Sequence, residues 1–336
     1  MQFPGAGKPP VAIVFDSAMG QRIDDALALA MLYGFDGKDE ARLISVSISK
    51  SNLKAAAFCD AVGRFYAGAV SGEFGGRGRT LPVGLSDAGK LPGDTPMITL
   101  PLSKLNAEGK PVHPHDIRQW TDTAEVPALI RNAFTSQPDQ NSIVILTGPA
   151  TELAKVLDLH GAKEVIVRKV KFLTVAAAEL NNPTDIAAAK KVFSEWPTPI
   201  FCVSPEAGEE APYPASSIEQ DFAWSPAHPI VDAYRAYKTM PYDAPAYAMA
   251  AALYAVRPQE GYFKLSEPGT IRVLDDGRTQ FTPSSDGRHR NLLPDPAQKE
   301  RILKVYTKLA SAKPVTRQRF RPQQKKADPP KPAVRN

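Results

Sequence analysis

The chain of 336 residues is long enough for one large α/β domain or two ordinary domains, and its 43% hydrophobic and 23% charged residues are typical of globular proteins. It has no run of about eighteen apolar residues, and its first residues show no signal-peptide pattern. We therefore expect no membrane span and a cytoplasmic location, unless a leader has been removed. Cys59 and Cys202 lie outside any CxxC pair, which argues against a disulfide framework or a zinc knuckle.

The net charge of +5 is concentrated at the C-terminus. From Lys313 onward, the chain has eight basic residues and one acidic residue, Asp328. This segment therefore carries a net charge of +7, and the rest of the chain carries −2. The segment also holds five prolines and almost no apolar residues. We predict a disordered basic tail over 313–336, after a single folded domain over 1–312. A tail of this kind contacts nucleic acid or anionic lipid only without specificity, so no specific nucleic-acid partner is expected.

Predicted strands and helices alternate along the chain. In chain order, strands are predicted at 11–15, 42–49, 142–146, 165–175 and 199–203, and helices at 23–34, 53–67, 153–157 and 185–195. This alternation predicts an α/β fold with a doubly wound, mostly parallel sheet and helices on both faces. Residues 72–123, rich in Gly and Pro, predict a long surface excursion, and 275–278 predict the turn of a late β-hairpin.

Three carboxylates lie close together in sequence where the first strand meets the first helix. Asp16 ends the strand, and Asp24 and Asp25 open the helix. Ligands of parallel sheets bind at the carboxyl ends of the strands, which here are followed by Asp16, Ser49, Thr147 and Ala176. Two explanations of the cluster remain open at this stage. The carboxylates hold a hard divalent cation, or Asp24 and Asp25 only complement the positive end of the helix.

Residues 16–30 resemble the amino-terminal signature of the inosine-uridine-preferring nucleoside hydrolase family, whose longer form reads DxDMGNDxDDALALA. The segments Met19-Gly20 and Ile23-Asp-Asp-Ala-Leu-Ala-Leu-Ala30 match it nearly letter for letter. Further matches follow in the family's order: Ser49-Lys-Ser-Asn52, Ile145-Leu-Thr-Gly-Pro-Ala-Thr-Glu-Leu-Ala154, Glu179-Leu-Asn181 with Asp185, and Tyr242-Asp243 before a helix that ends in Tyr254-Ala-Val-Arg-Pro258.

The resemblance implies hydrolysis of the N-glycosidic bond of a ribonucleoside, with one calcium ion holding the ribose and the attacking water. By this resemblance, Asp24 is the general base, and the calcium ligands are Asp25, the Thr147 carbonyl and Asp243. The residues that bind the ribose are Asn52, Glu179 and Asn181. Tyr242 replaces the histidine that protonates the departing base. The ligand is then a nucleoside or another small ribosyl compound. The resemblance also implies a homodimer or a homotetramer.

Two departures from the signature bear on the calcium ion. Ala18 stands where the family has an acidic metal ligand, and a methyl group cannot coordinate calcium. We expect Asp16, two residues earlier on the same side of the strand, to fill the gap through water if calcium binds. Arg22 stands where the longer signature has an acidic residue. Our hypothesis is that its guanidinium pairs with Asp24 and Asp25 and takes over the electrostatic role of the cation.

Two functions therefore follow from the sequence. The first is an N-ribohydrolase in which Asp24 activates water at a weakened calcium site. The second is a homologue without turnover, which binds a nucleoside, a ribose-like sugar or a protein partner. The retained polar residues favour the first function, whereas Ala18 and Arg22 favour the second.

Overall fold

A computed structural model describes residues 9–68, 81–87, 93–176 and 183–315. Within them, the strands are β1 (Val11–Ser17), β2 (Ala41–Ile48), β3 (Val83–Leu85), β4 (Ser142–Leu146), β5 (Val170–Val175), β6 (Ile200–Val203), β7 (Lys264–Leu265), β8 (Gly269–Val273), β9 (Thr279–Pro283) and β10 (His289–Leu293). The helices are α1 (Ile23–Gly37), α2 (Leu53–Gly68), α3 (Pro96–Ser103), α4 (Val126–Thr135), α5 (Thr151–Asp158), α6 (Ala162–Lys169), α7 (Pro183–Glu195), α8 (Pro205–Glu210), α9 (Ala215–Gln220), α10 (Pro229–Tyr237), α11 (Tyr247–Val256) and α12 (Lys299–Ala310).

The strands form one sheet in the order β3-β2-β1-β4-β5-β6-β10-β8-β9, with β7 also paired to β10. The neighbours from β3 through β10 run parallel, and β7, β8 and β9 add antiparallel pairs at the far side. The chain moves outward from β1 to β3 and then returns to β4 on the other side of β1. This reversal confirms the predicted doubly wound, mostly parallel sheet.

Helices cover both faces of the sheet. Alternate residues of β1 point to opposite faces, so Ile13 and Phe15 join one apolar cluster and Val14 joins the other. The first cluster packs against α1, α2, α3 and α8 to α12, and the second against α4 to α7. Both faces of the central strands are therefore buried, which explains why their sequences are almost continuously apolar.

The predicted late hairpin is confirmed. β8 and β9 pair antiparallel around Asp275-Asp-Gly-Arg278, and Gly277 has a φ of +83°. Asp276 fixes the turn by accepting hydrogen bonds from the backbone and the side chain of Arg278, at 3.0 and 2.7 Å. The turn chemistry in the sequence thus determined this connection.

Two expectations from the sequence differ from the structure. The strand predicted over 165–175 begins only at Val170, because residues 162–169 form α6 after a turn at Gly161, whose φ is +71°. The excursion over 72–123 contains β3 and α3, and the three residues of β3 are too few to show a periodicity. The predicted disordered tail falls largely on residues 316–336, which lie outside the described residues.

Two further observations concern the membrane span and the disulfide framework that the sequence argued against. Within the described residues, no helix is both long enough and apolar enough to cross a membrane. Cys59 and Cys202 are both free thiols.

Gly34 is the point at which α12 packs closely against α1. A Cβ atom at this position would overlap the backbone carbonyl of Leu309. We therefore expect Gly34→Ala to lower the free energy of unfolding by about 1–3 kcal/mol, although alanine normally stabilises a helix interior. Gly37→Ala is the matched control. A Cβ atom at Gly37 would lie 3.0 Å from the side chain of Val315, which is half-exposed and can move away. Equal unfolding free energies of the two variants in urea titrations would contradict this packing argument.

Candidate functional site

The carboxyl ends of β1, β2 and β4 meet where the strand order reverses. Asp16 lies opposite Leu146 in the sheet, and the Thr147 amide donates a hydrogen bond to the Asp16 carbonyl at 2.9 Å. On the other side of β1, the Ser49 amide donates to the Ser17 carbonyl, also at 2.9 Å. A reversal of this kind opens a crevice between loops that leave for opposite faces, which is where doubly wound proteins bind ligands.

The loop after β1 brings the start of α1 to this crevice. Gly20, with a φ of +102°, allows the chain to turn sharply, and Arg22 is the extended residue just before the helix. Asp24 and Asp25 then lie in the first helical turn, where the helix dipole favours negative charge. The local sequence thus aims a helix N-terminus and two carboxylates at the strand ends.

The guanidinium of Arg22 bridges the polar groups of the crevice. Its Nε atom lies 3.5 Å from Asp24 Oδ1, and its Nη2 atom lies 3.8 Å from Asp25 Oδ1. Nη2 also donates a hydrogen bond to the carbonyl oxygen of Thr147, at 3.2 Å. The ring centroid of Tyr247 lies 5.6 Å from the guanidinium carbon, within cation–π range. The Arg22 side chain therefore links the carboxyl end of β4 to the start of α1.

The two helical aspartates differ in their remaining partners. Asp24 Oδ2 accepts a hydrogen bond from the Ala248 amide at 2.8 Å, whereas neither oxygen of the buried Asp25 carboxylate has a hydrogen-bond partner. Burial raises the pKa of both carboxyl groups, and Arg22 opposes the rise in each case. Asp25 is thus a buried acceptor whose neighbouring donors, Arg22 at 3.8 Å and the Thr147 hydroxyl, lower its pKa without forming a hydrogen bond of normal geometry.

Asp16 adds a third carboxylate at the end of β1. Its Oδ1 accepts a hydrogen bond from the Ser47 hydroxyl at 2.7 Å, and its Oδ2 is buried without a partner. Burial raises the pKa of Asp16 to about 7. Three hydroxyl groups of the surrounding strand ends are also buried: Ser17, Ser49 and Thr147. Those of Ser49 and Thr147 lower the pKa of Asp16 and of Asp25, respectively. The strand ends therefore form a buried polar region.

The remaining residues predicted for the site have other partners. The side-chain oxygen of Asn52 caps α2 by accepting from the Ala55 amide at 3.0 Å. Tyr242 donates its hydroxyl hydrogen to the Tyr234 carbonyl at 2.6 Å. Asp243 is exposed and accepts a hydrogen bond from the Ala215 amide at 2.8 Å.

The structure thus places Asp24, Asp25 and the Thr147 carbonyl around Arg22, and pairs Asp16 with Leu146, the residue before Thr147. Asn52, Tyr242 and Asp243 contact Ala55, Tyr234 and Ala215, respectively. Glu179 and Asn181, predicted to bind the ribose, lie outside the described residues. The catalytic and binding roles of all these residues stay predictions.

Two buried polar pairs near the strand ends were not predicted from the sequence. Lys50 follows β2, and its Nζ atom lies 2.5 Å from Oδ1 of Asp185 in α7. Glu152, at the start of α5, is 1% exposed and accepts a hydrogen bond from the Ser86 hydroxyl at 2.5 Å. Lys50 and Glu152 both lie inside the segments that resemble the family, but their partners are far away in the sequence.

The residues of this site do not fit the calcium ion that the resemblance implies. Calcium needs six to eight oxygen ligands, and Ala18 offers only a methyl group where an acidic ligand is expected. Arg22 lies against two of the expected ligands, Asp25 and the Thr147 carbonyl. Among the described residues, no group of three or more His, Cys, Asp or Glu side chains is arranged to hold a metal ion.

Comparisons with known proteins identify the fold. No model of a protein family matches the chain, and no curated protein sequence does so. Solved structures match over most of its length. An inosine-uridine preferring nucleoside hydrolase from Bacillus anthracis has 17% identity and a TM-score of 0.62, over 90% of this chain and 99% of that one. A plant nucleoside hydrolase has 18% identity and a TM-score of 0.62, over 90% and 100% of the two chains.

The type III effector protein XopQ, solved in complex with adenosine diphosphate ribose, has 15% identity and a TM-score of 0.62, over 91% of this chain and 95% of that one. At identities this low, the structural similarity shows a common fold and does not by itself show a common activity. The resemblance in the sequence is thereby confirmed at the level of the fold. This chain has the fold of the nucleoside hydrolases.

Proposed function

We propose that the protein binds a small ribosyl compound in the crevice formed by Asp16, Asp24, Asp25 and Thr147. The observation that carries the proposal is the buried Asp25 carboxylate, neither oxygen of which forms a hydrogen bond of normal geometry with the Arg22 guanidinium, 3.8 Å away, or with the Thr147 hydroxyl beside it. A buried polar group left unpaired costs about 1–3 kcal/mol, and a charged group costs more. A ligand that donates hydrogen bonds here would remove that cost.

The two adjacent hydroxyl groups of a ribose suit this acceptor. They can donate to the two oxygens of one carboxylate. The location supports the proposal, since the crevice lies at the reversal of the strand order. The fold supports a ribosyl ligand, because the similar structures are nucleoside hydrolases and an effector in complex with adenosine diphosphate ribose.

The contacts of Asp24 favour binding without turnover. A general base must accept a proton from water, but Asp24 Oδ2 already accepts from the Ala248 amide and Oδ1 faces the Arg22 guanidinium. The neighbouring Arg22 cation lowers the pKa of Asp24 relative to the same buried carboxylate without it, although burial keeps the pKa above its usual value. N-ribohydrolysis is the second candidate function, since Asp24 still lies at the edge of the same crevice.

Calorimetric titration with ribose, inosine, uridine and 2′-deoxyinosine, in a buffer with EDTA, tests the proposal. We expect a ribonucleoside to bind, and we expect loss of its 2′-hydroxyl or the change Asp25→Asn to weaken binding by about 10- to 100-fold. Asp139→Asn, at an exposed surface ion pair, is the control and should bind like the wild type. Absence of binding by any ribosyl compound, both in EDTA and in calcium, would refute the proposal.

A ribose-release assay on the same compounds separates the two candidate functions. Release that disappears in Asp24→Asn would select the hydrolase. Binding of a ribosyl compound without release of ribose would support the first candidate function, a protein that binds the compound without turnover.

A further inference from the structure

We infer that the Arg22 guanidinium is a built-in replacement for a divalent cation, so that this crevice is assembled and binds its ligand without metal. The inference rests on the proposed function for the identity of the ligand. The replacement itself is argued from contacts within the chain.

The contacts of Arg22 are those that a cation in the crevice would make. The guanidinium reaches one carboxylate oxygen of Asp24, one of Asp25 and the carbonyl oxygen of Thr147, at 3.5, 3.8 and 3.2 Å. Asp24 and Asp25 belong to α1, and Thr147 follows β4. The contact between Arg22 and Thr147 joins residues 125 positions apart in the sequence. One positive group thus joins the elements that line the crevice.

The charges of the crevice require a positive group of this kind. Asp24 and Asp25 are 2% and 0% exposed, and adjacent carboxylates repel each other strongly in a buried environment. The guanidinium is always charged in proteins and presents several N–H donors in a fixed plane. The side chain of Arg22 is 28% exposed, so the charge lies at the mouth of the crevice, with Tyr247 beside it.

A divalent cation could reach Asp25 and the Thr147 carbonyl only if Arg22 left them. Otherwise, the two positive groups would lie within a few ångströms of each other and repel. Ala18 makes the exchange less favourable, because its side chain is a methyl group and offers no further oxygen. Since Arg22 is attached to the chain, it also holds its position at any calcium concentration.

Calcium titration of the EDTA-treated full-length protein, followed by calorimetry and thermal unfolding, tests the inference. We expect the wild type to show no stoichiometric calcium binding up to about 1 mM, the weak end of protein calcium sites, and the same Tm in calcium as in EDTA. One calcium ion bound per chain with a Kd below about 10 µM would overturn the inference.

Two double variants isolate the role of Arg22. Ala18→Asp with Arg22→Asn restores an oxygen ligand and removes the positive charge, and we expect it to bind calcium at least about 100-fold more tightly than the wild type. Ala18→Asp with Arg22→Lys is the matched control, which keeps the charge and should not gain calcium binding. Equal calcium affinities of the two double variants would overturn the inference, and if neither folds, the wild-type titration decides alone.

The ligand titrations distinguish failure of this inference from failure of the proposed function. A ribosyl compound that binds the wild type equally well in EDTA and in calcium supports both. Binding that appears only in calcium overturns the metal-free site and leaves the ribosyl function standing. If no ribosyl compound binds under either condition, the proposed function fails, while the calcium titrations still decide the role of Arg22.

Discussion

Replacement of Lys50 by methionine is expected to lower the free energy of unfolding by about 3–5 kcal/mol. The Lys50 ammonium and the Asp185 carboxylate are 2.5 Å apart, and their side chains are 10% and 3% exposed. Methionine has a similar length and no charge, so it leaves the Asp185 carboxylate buried without its cation. The penalty therefore comes mainly from a buried carboxylate that has lost its cation, which costs more than the net contribution of the intact pair.

Urea titrations at pH 7.5 measure this effect against an exposed ion pair. Lys54→Met is the control, because Lys54 and Asp94 are 55% and 41% exposed and such pairs contribute at most about 1 kcal/mol. Adding Asp185→Asn to Lys50→Met should recover part of the loss by removing the stranded charge. A loss in Lys50→Met no larger than that in Lys54→Met would contradict the argument.

The Lys50–Asp185 pair also affects the candidate site. Lys50 lies between the end of β2 and Asn52, and Asp185 lies in the first turn of α7. The pair therefore ties together two segments that follow strand ends at the same edge of the sheet. At this edge, Lys50 thus forms a buried ion pair with Asp185, 135 positions away. Arg22 pairs locally with Asp24 and Asp25 and donates a hydrogen bond to the Thr147 carbonyl, 125 positions away.

The sequence predicted the sheet well because its main strands carry strong local signals. β1 and β4 each contain an unbroken apolar run, over residues 11–15 and 143–146, and each strand is followed by a helix with apolar residues at helical spacing. The short β3 and the start of β5 were misjudged for the opposite reason. Three residues show no period, and the apolar residues Val165-Ile-Val167 of α6 lie only two residues before the strand.

The site was predictable where it depends on strand ends and one helix turn. Asp16, Asp24, Asp25 and Thr147 converge because parallel strands place their carboxyl ends at one edge, a rule that needs no coordinates. The spacing of Arg22 and Asp25 by three residues also indicated a pair. The contact of Arg22 with the Thr147 carbonyl was not predictable, because it joins residues 125 positions apart. The Lys50–Asp185 pair spans 135 positions, and no local pattern marks it.

His228 is the second position at which we expect a large effect, and its burial makes the effect depend on pH. The imidazole is fully buried, with the rings of Phe65 and Phe222 at 4.4 and 4.7 Å. Its Nδ1 atom accepts a hydrogen bond from the Ile230 amide at 3.2 Å and caps α10, so the hydrogen of the neutral ring lies on Nε2, which faces the Tyr66 hydroxyl. Protonation of Nδ1 would break this cap. Burial lowers the pKa of His228 to about 3.

The sign of the pH effect follows from this lowered pKa. Between pH 6.5 and about 3, the unfolded chain binds a proton at His228 and the folded protein does not. The free energy of unfolding therefore falls by about 1.4 kcal/mol for each unit that the pH drops in this window, or about 2 kcal/mol from pH 6.5 to pH 5.0. Above pH 6.5, both states carry the neutral ring and the contribution is constant.

His228→Asn isolates the titration, because the asparagine oxygen can still accept from the Ile230 amide but takes up no proton. The variant should be less stable at pH 7.5, since it loses the packing of the ring. From pH 7.5 to pH 5.0, however, it should lose about 2 kcal/mol less than the wild type in urea titrations. His289, whose pKa burial lowers to about 4, and Asp16, whose pKa burial raises to about 7, titrate in both proteins and cancel in this difference. Parallel pH profiles of the two proteins would show that His228 is protonated in the folded state.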